Sequence, residues 1–214
     1  MKGLGFWPTM RGLGGGESLL RIYMNHGFAS HTLLGRTIDV GGGRNPNYFD
    51  YFQKGPSLTI EAIDGTISGI DFERDPLPFE DESVDMVICA NVLEHVYNHR
   101  FFVEHMARVL RPGGTLVGFV PFFIQYHPDP HDYFRYTKEA LQRIFEDAGF
   151  RKIRITEVGD GPFALNYNTI MLSMPLVCRL ALYPLYFLAD GLFLRLRPRA
   201  RERYPLGYIF SVAK

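Results

Sequence analysis

The strongest constraint on the fold is the segment TIDVGGGRNP at residues 37–46, where an apolar run ends in an acid and three consecutive glycines. Thr37, Ile38 and Val40 suit a buried strand. Glycines tolerate positive φ and let backbone amides approach a ligand without a Cβ in the way. The segment therefore predicts a strand that breaks sharply into a nucleotide-binding turn, although such a turn alone does not say which ligand it serves, or whether it is only a tight corner.

The composition limits the class of protein. With 214 residues, 46% of them hydrophobic, the chain can bury a real core and is expected to form one domain with an elaboration. Its 23 basic and 23 acidic residues balance, so no overall positive charge favours a nucleic-acid partner. Cys89 and Cys178 lie in apolar runs without metal-ligand spacing, which predicts two buried, reduced thiols and no metal site.

The N-terminal segment, residues 1–36, is expected to be an arm followed by a helix. Its first 17 residues are rich in glycine, which predicts a flexible arm, and the helix is expected from Leu19 to about His26. No sustained apolar stretch resembles a secretory signal, so a cytoplasmic location is the expectation. Residues 37–214 would then form the main domain.

Strand-like and helix-like segments alternate along the rest of the chain. Strands are predicted at 37–40, 57–64, 69–72, 84–92, 115–122, 151–159 and 204–214. Helices are predicted at 99–110 and 138–149, the second of them capped by Thr137. This order predicts an α/β protein with a doubly wound, mostly parallel, seven-stranded sheet.

Candidate ligand-binding residues follow from the sheet. In open parallel sheets the ligand lies beyond the carboxyl ends of the strands. That rule selects the glycine turn, an acid after the second strand, Asp71, Asn91 and the segment 121–135. An acid after the second strand would bind ribose hydroxyls. Asp71 could accept a hydrogen bond from an adenine amino group while Phe72 packs on the base.

Three pieces of sequence, in this order and spacing, carry a family resemblance. They are DVGGGRNP at 39–46, PLPFEDESVDMVICANVLEHV at 76–96 and VLRPGGTLVGFVPF at 109–122. Over residues 37–160 the chain resembles the class I S-adenosylmethionine-dependent methyltransferases that act on small molecules. The resemblance implies a Rossmann-like methyltransferase fold, S-adenosylmethionine as cofactor, and a last strand that is antiparallel.

The resemblance also assigns residues to parts of the cofactor. The methionine end would be held by Asp39, Gly41, Gly42 and Gly43, the adenine by Asp71 and Phe72, and Asn91 would line the floor.

Two positions depart from the family pattern. The usual ribose acid falls near Ala62, so Glu61 or Asp64 must replace it, and Glu61 is slightly favoured. Asn45 stands where the turn usually has its third glycine.

The acceptor is expected at YHPDPHDYFRYT, residues 126–137, which follow the fifth strand. His127 or His131 could remove a proton near neutral pH. Arg135 could pair with an anionic group, and tyrosines could stack or donate. The predicted substrate-binding residues are Asp132, Tyr133, Arg135 and Tyr136. An alternative is a rigid connector in which Asp132 pairs with Arg135 and the aromatic rings pack inside.

His95 in the LEHV segment is interpreted as a residue that orders the pocket by hydrogen bonding rather than one that takes a proton.

Residues 162–203 are expected to form an apolar helical insertion before the last strand. The run Leu180–Ala189 is too short to span a membrane, and Arg179, Pro184 and Asp190 interrupt any longer count. Three hypotheses remain: a lid over the acceptor pocket, a homodimer interface, or a membrane-surface helix followed by the basic run RLRPRARER. A lid or dimer is favoured, for want of a clean amphipathic stripe.

The sequence therefore predicts methyl transfer to a small-molecule or lipid- or glycan-linked acceptor, with oxygen preferred as the nucleophile. A nucleic-acid substrate is disfavoured, because ANVL replaces the Asn-Pro-Pro-aromatic signature after the fourth strand. Two alternatives remain: an NAD(P)-dependent oxidoreductase of Rossmann type, and a catalytically inactive protein that binds S-adenosylmethionine.

Overall fold

A computed structural model describes residues 4–43 and 46–214. Asn45, one of the two departures from the family pattern, lies outside the described residues. The chain divides into two compact units. Unit 1 contains the chain up to Gly27 together with Pro121–Gln125 and Glu157–Tyr208, and unit 2 contains Phe28–Val120, Tyr126–Thr156 and Ile209–Lys214.

Strands and helices alternate through most of the chain. The strands are β1 (Thr32–Leu33), β2 (Arg36–Val40), β3 (Gln53–Lys54), β4 (Thr59–Ile63), β5 (Val84–Ala90), β6 (Leu110–Pro121), β7 (Arg154–Val158) and β8 (Gly207–Ala213). The α-helices are α1 (Phe6–Gly14), α2 (Leu19–Phe28), α3 (Gly65–Ser68), α4 (His99–Val109), α5 (Lys138–Asp147), α6 (Pro162–Met171) and α7 (Leu176–Leu196).

The main sheet has six strands in the order β4-β2-β5-β6-β8-β7, and β1 pairs with β3 separately. β2 is parallel to β4 and β5, and β5 is parallel to β6. β8 runs antiparallel to β6, because Gly113 donates to the carbonyl of Lys214 whereas Phe122 donates to that of Leu206. The predicted α/β fold with a mostly parallel sheet and an antiparallel last strand is confirmed.

The sheet has six strands rather than the predicted seven, because residues 69–72 form turns. The N–H of Asp71 donates to the carboxylate of Asp75 at 2.9 Å, and the carboxylate of Asp71 accepts from the N–H of Glu73 at 2.9 Å. Aspartates compete with the strand ladder for backbone groups in this way. The apolar residues of this segment therefore do not join the sheet.

The elements around the centre of the sheet follow the sequence pattern. β5 is buried along nearly its whole length, as its continuous apolar run predicts. α4 buries one face, which includes Phe102 and Met106. α5 begins at the predicted cap, where the Thr137 hydroxyl accepts from the N–H of Ala140 at 3.2 Å.

The prediction of a flexible N-terminal arm is wrong for residues 6–14, which form α1. The Phe6 ring lies 5.8 Å from the Tyr183 ring and 5.3 Å from the Phe187 ring, and Leu13 is fully buried. Burial of these apolar side chains within unit 1 offsets the entropic cost of fixing the neighbouring glycines.

The helical insertion is confirmed, since α6 and α7 precede β8. The predicted interruptions of its apolar run are wrong, however, because α7 continues through Pro184 and Asp190. The carboxylate of Asp190 accepts from the N–H groups of Phe163 at 3.0 Å and Ala164 at 2.6 Å. Asp190 thus caps the first turn of α6, whose N–H groups have no partner within the helix.

By length and composition α7 is able to cross a membrane, and 11% of its most apolar window is buried within the protein. Length and composition alone do not establish that it crosses one, because buried core helices pass the same test.

Cys178 lies exposed on α7, so the prediction of a buried thiol is wrong for Cys178 and confirmed for Cys89.

Candidate active site

A cavity of about 600 Å³ lies in unit 2 at the carboxyl ends of β2, β4 and β5. The strand-end rule places a ligand at this edge, and the volume suits a small organic ligand. The predicted site residues that line the cavity are Gly41, Asp64, Asp71, Phe72, Asn91, His131 and Tyr133.

The glycine turn allows the backbone to bend tightly against neighbouring side chains. Gly41 has φ +85°, and a Cβ there would collide with the side chain of Val92. A Cβ on Gly42 would collide with the carboxylate of Asp39 and lie 2.5 Å from the Tyr48 hydroxyl. Gly43 has φ +66° with the nearest atom 4.0 Å away, so its requirement is conformational. Of the three glycines, Gly41 lines the cavity.

Asp39 lies beneath the turn rather than on the cavity wall. Its carboxylate is fully buried and accepts from the Tyr48 hydroxyl at 2.8 and 2.7 Å. Burial raises the pKa of Asp39 to about 7, although the hydrogen bond from Tyr48 lowers it. The structure therefore places Asp39 where it supports the turn from below, and Asp39 is not among the residues that line the cavity.

The two candidate ribose acids occupy different places. Asp64 directly follows β4 and lines the cavity. Glu61 lies two residues inside β4, and its exposed carboxylate is 3.6 Å from Arg36. The structure brings Asp64 to the cavity and not Glu61, contrary to the slight preference for Glu61. Because β4 ends at Ile63, only the residue after that position reaches the ligand edge.

The adenine and floor residues lie together on the cavity wall. The Phe72 ring stacks on the buried Phe102 ring at 5.0 Å, which fixes its orientation. Asp71 lines the same wall, with part of its carboxylate engaged by the N–H of Glu73. Asn91 has φ +55°, and its N–H donates to the carbonyl of Phe119 at 2.9 Å. This left-handed residue turns the chain sharply after β5 and holds it at the cavity.

On the acceptor side, three side chains of unit 2 line the cavity: His95, His131 and Tyr133. The Nδ1 of His95 is hydrogen-bonded to the carbonyl oxygen of His131. A carbonyl accepts only, so Nδ1 carries the proton and Nε2 is left as the basic nitrogen when His95 is neutral. Sequence reasoning gave His95 an ordering role, and the structure places it on the wall with a fixed tautomer.

Asp132 and Arg135 form the predicted internal pair. Arg135 donates to both oxygens of Asp132, at 2.5 and 2.7 Å, and the Asp132 side chain is 1% exposed. The hydrogen bond from Arg135 holds the pKa of Asp132 well below its usual range and raises that of Arg135. Asp132 also accepts from the backbone N–H of His127 at 2.9 Å. Neither Asp132 nor Arg135 lines the cavity, which agrees with the rigid-connector alternative.

His127 lies against His95, with ring centroids 5.1 Å apart in an edge-to-face arrangement. Its Nδ1 is 3.4 Å from the Asp132 carboxylate, and its Nε2 is 3.9 Å from the carboxylate of Glu94. Nε2 of His95 is 3.7 Å from the same Glu94 oxygen. One carboxylate therefore faces two imidazoles.

Glu94 is a functional candidate that the sequence did not reveal. Its carboxylate is fully buried, and neither oxygen has a hydrogen-bond partner among the described residues. A buried carboxylate in that state is costly unless a cation lies beside it. Arg135 is a permanent cation near it, because the charge of Glu94 is, after that of Asp132, among the causes that raise the pKa of Arg135.

A metal ion is the other possible occupant of this cluster. One ligand atom from each of Glu94, His95 and His127 lies within 4.8 Å of the other two. A carboxylate with two imidazoles is a set that zinc binds in enzymes. These three residues could therefore hold a metal, and the expectation of no metal site stays a prediction.

Tyr136 has a structural role. It is buried, and its hydroxyl donates to the carbonyl of Leu93 at 3.1 Å. Burial raises the pKa of Tyr136 well above its usual range, and the charge of Glu94 raises it further.

Sequence reasoning also missed Tyr48, the partner of Asp39. The aromatic-rich stretch after the turn was visible, but nothing in it marked this one hydroxyl.

Part of the chain is similar to known methyltransferases. A family model described as a methyltransferase domain matches residues 53–118. A probable S-adenosylmethionine-dependent methyltransferase of Mycobacterium tuberculosis is 33% identical over 92 residues, which are 40% of this chain and 34% of that protein. Over these stretches the chain is similar to S-adenosylmethionine-dependent methyltransferases.

Another protein that the chain resembles is the phthiotriol/phenolphthiotriol dimycocerosates methyltransferase of Mycobacterium tuberculosis. It is 35% identical over 104 residues, which are 47% of this chain and 36% of that protein. The matched stretches thus span about a third of the length of both relatives. A solved structure of a methyltransferase from Aquifex aeolicus has a TM-score of 0.51 at 20% identity, covers 70% of this chain and 93% of its own, and supports the fold.

The relatives that the chain resembles are named as S-adenosylmethionine-dependent methyltransferases, and the cavity suits this cofactor. Gly41 leaves room for a close backbone approach, Asp64 offers a carboxylate for the ribose, and Asp71 with Phe72 offers an acceptor beside a ring for the adenine. The comparisons do not favour an oxidoreductase or an inactive binding protein.

Proposed function

We propose that this methyltransferase transfers the methyl group of S-adenosylmethionine to a hydroxyl oxygen of a small-molecule or lipid- or glycan-linked acceptor. The bound cofactor would supply a methyl group on a sulfonium, which is already a good leaving group. The protein then contributes proximity, orientation and removal of the hydroxyl proton. The observation that carries the proposal is the buried Glu94 carboxylate, which faces the imidazoles of His95 and His127.

His95 is the residue that takes the proton. It lines the cavity, and its Nδ1 proton is held by the carbonyl of His131, so Nε2 is the basic nitrogen. When Nε2 accepts a proton, the imidazolium is 3.7 Å from the Glu94 carboxylate.

His127 is a positioning residue rather than the base, because it lies behind His95. Asp132 fixes His127 through its backbone N–H, and Arg135 in turn fixes Asp132. The arrangement holds the second imidazole next to Glu94. Removal of any member of this chain of contacts would loosen the group that stabilises protonated His95.

His131 and Tyr133 are proposed to bind the acceptor, because both rings lie on the cavity wall. Their centroids are 5.3 Å apart, and together they offer a polar, aromatic surface. Arg135 is engaged by Asp132, so it gives no support to an anionic acceptor. A neutral hydroxyl-bearing acceptor fits this wall better.

The acceptor class rests on two observations. An imidazole beside a carboxylate suits a nucleophile that must lose a proton, which favours oxygen over an amine that already presents a lone pair. One relative acts, by its name, on phthiotriol and phenolphthiotriol dimycocerosates. We further propose a cytoplasmic enzyme, peripheral to a membrane, that does not act on nucleic acid.

Cofactor binding is tested by titration calorimetry. S-adenosylmethionine should bind, and Asp64→Ala should weaken it by about tenfold, because a hydrogen-bonded carboxylate contributes on the order of 1.5 kcal/mol. Glu61→Ala is the matched control on the same strand and should leave the affinity unchanged. Binding of NADH without binding of S-adenosylmethionine would reject the proposal.

The methylated atom is tested with S-adenosylmethionine labelled isotopically in its methyl group. After incubation with a cell extract, nuclear magnetic resonance of the product distinguishes methyl groups attached to oxygen, nitrogen and carbon. A label on nitrogen or carbon would contradict the oxygen acceptor and leave the cofactor assignment intact. Cofactor binding with no labelled product from any extract fraction would favour an inactive binding protein.

A further inference from the structure

The outward face of α7 is a continuous apolar stripe. Val177, Ala181, Leu185, Leu188, Leu192 and Leu196 recur every three or four residues and so share one face of the helix. The valine and the four leucines are 62–77% exposed. With 21 residues, α7 is about 30 Å long, and the stripe extends along nearly all of it. The exposure of this α7 stripe is what the sequence pattern did not reveal.

The opposite face of α7 is packed within unit 1. Tyr183 is 2% exposed, and its ring lies 5.8 Å from that of Phe6 on α1 and 5.4 Å from that of Tyr167 on α6. Asp190 on the same face caps α6. Because α7 is held on this side by protein, lipid could not surround it. Its geometry suits a helix that lies along a surface rather than one that crosses a bilayer.

Positive charge is concentrated at the C-terminal end of the stripe. Arg195, Arg197, Arg199 and Arg203 are exposed, whereas Arg201 is held by Asp160 at 3.1 Å. Over residues 162–203 the sequence has six arginines and two acids. One of these acids, Asp190, is buried, so Glu202 is the one acid of this segment on the surface.

We propose that the α7 stripe docks unit 1 onto an anionic lipid bilayer, with α7 parallel to the membrane plane and the exposed arginines among the headgroups. An exposed apolar stripe flanked by arginines is the pattern of interfacial helices, since apolar burial and attraction to anionic lipid add together. This inference concerns where the enzyme works and does not depend on the identity of the proton acceptor.

A second copy of the chain is a poorer occupant of the same face. A two-fold axis through the stripe would pair it with itself, so the same residues would meet from both sides. In such a dimer the four exposed arginines of each copy would face the same segment of the other copy. Within residues 162–203, Glu202 is the one surface acid that could pair with them. Anionic headgroups offer the complementary charge along the whole edge.

An apolar groove beside the stripe strengthens the choice of lipid. A cavity of about 610 Å³ lies between α6 and α7, and Phe163, Leu185, Ala189 and Phe193 are among its lining residues. Leu185 belongs to both the groove and the stripe. The groove is therefore open at the surface that would meet the bilayer, and its size and apolar walls suit an acyl chain.

The test is co-sedimentation of the full chain with vesicles of phosphatidylcholine alone and of phosphatidylcholine mixed with phosphatidylglycerol. The wild type should sediment with the mixed vesicles and much less with phosphatidylcholine. Arg199→Glu with Arg203→Glu should lower binding to the mixed vesicles by at least about tenfold, since each arginine near an anionic surface contributes appreciably. Leu188→Gln with Leu192→Gln should lower it similarly, because it removes buried apolar area.

Matched controls separate the proposed surface from general effects. Arg143→Glu with Arg151→Glu changes two exposed arginines of unit 2, and Leu34→Gln with Ile60→Gln changes two exposed apolar residues there; both should bind vesicles like the wild type. Circular dichroism melting confirms that each variant is folded.

Three outcomes would overturn the proposal. Wild-type protein that stays in solution with both kinds of vesicle would reject a lipid surface. Equal binding by the stripe variants and the controls would reject this location. Sedimentation equilibrium that shows a dimer, lost in Leu188→Gln with Leu192→Gln, together with no vesicle binding, would assign the stripe to a second copy.

Discussion

The glycine turn after β2 and the segment 126–137 both border the active-site cavity, yet they are built differently. The turn is a local structure: its buried acid, Asp39, is held by Tyr48, nine positions away. The acceptor side depends on side chains that are far apart in sequence, such as His95 and His131, which are 36 positions apart. The first region depends on backbone conformation and the second on interactions between charged side chains. Substitutions in the two regions should therefore affect different properties of the protein.

The largest expected effect lies in the charge network. His95→Asn should lower kcat by roughly 10²–10⁴-fold, because it removes the group that takes the proton, while the Kd for S-adenosylmethionine changes little. Steady-state kinetics and calorimetry measure the two quantities. His131→Ala should act mainly on KM, since His131 is proposed to contact the acceptor. A variant of His95 with normal kcat would move the base to another residue.

Glu94→Gln separates charge from shape in the same network. The amide keeps the volume but removes the charge that faces His95, so kcat should fall by roughly tenfold or more. Steady-state kinetics measures kcat, and calorimetry checks that the Kd for S-adenosylmethionine stays unchanged. A kcat equal to that of the wild type would show that Glu94 does not act on His95.

The glycine turn should respond through its backbone. Gly41→Ala places a Cβ against Val92 at φ +85°, so we expect a loss of about 1–2 kcal/mol in unfolding free energy and a roughly tenfold weaker cofactor. Gly113→Ala is the matched control, because Gly113 has φ +79° with no atom within 4 Å of the added Cβ and lies outside the cavity wall. Equal loss of cofactor affinity in both variants would show that the conformation of the glycine turn has no specific role in cofactor binding.

Asp39 should make stability depend on pH. Its folded pKa of about 7 lies above the ordinary value of 3.8, so its proton stabilises the folded state fully below the unfolded value, and this contribution is lost as pH rises through about 7. Asp39→Asn should therefore be more stable than the wild type at pH above about 8, by up to about 4 kcal/mol, and equal to it at pH below about 4. Denaturant unfolding at both pH values checks this, with Asp50→Asn as an exposed control. A constant difference across pH would contradict it.

The smallest expected effect is that of metal removal. If the carboxylate of Glu94 is balanced by protons on His95 and His127, prolonged dialysis against a chelator should leave both kcat and the melting temperature unchanged. Loss of either, restored by zinc, would show that these three residues hold a metal instead.

The fold was largely predictable because it depends on local patterns. Val84–Ala90 is a continuous apolar run, Thr137 is a cap at the start of an amphipathic helix, and both appear in the structure as predicted. Residues 69–72 have the apolar content of a strand, but the aspartates around them form turns, and propensity alone does not weigh these two effects.

The active site was predictable only in part. Strand ends can be counted along the sequence, which placed Gly41 and Asn91 on the cavity wall; Asp71 also lines the wall, although the strand predicted before it does not form. The choice between Glu61 and Asp64 depended on the residue at which β4 ends, and boundaries are the least certain part of such a prediction. Glu94 was missed because its significance is its burial beside two histidines, which arises from tertiary packing.

The cap that Asp190 provides has a mechanical consequence for unit 1. Because Asp190 on α7 caps α6, α7 cannot shift relative to α6 without breaking two N–H···O bonds. The two helices should therefore move together as one rigid unit. A displacement of α7 would then also displace the first turn of α6. Asp190→Ala would uncouple the pair, and faster amide hydrogen exchange at Phe163 and Ala164 would be its direct sign.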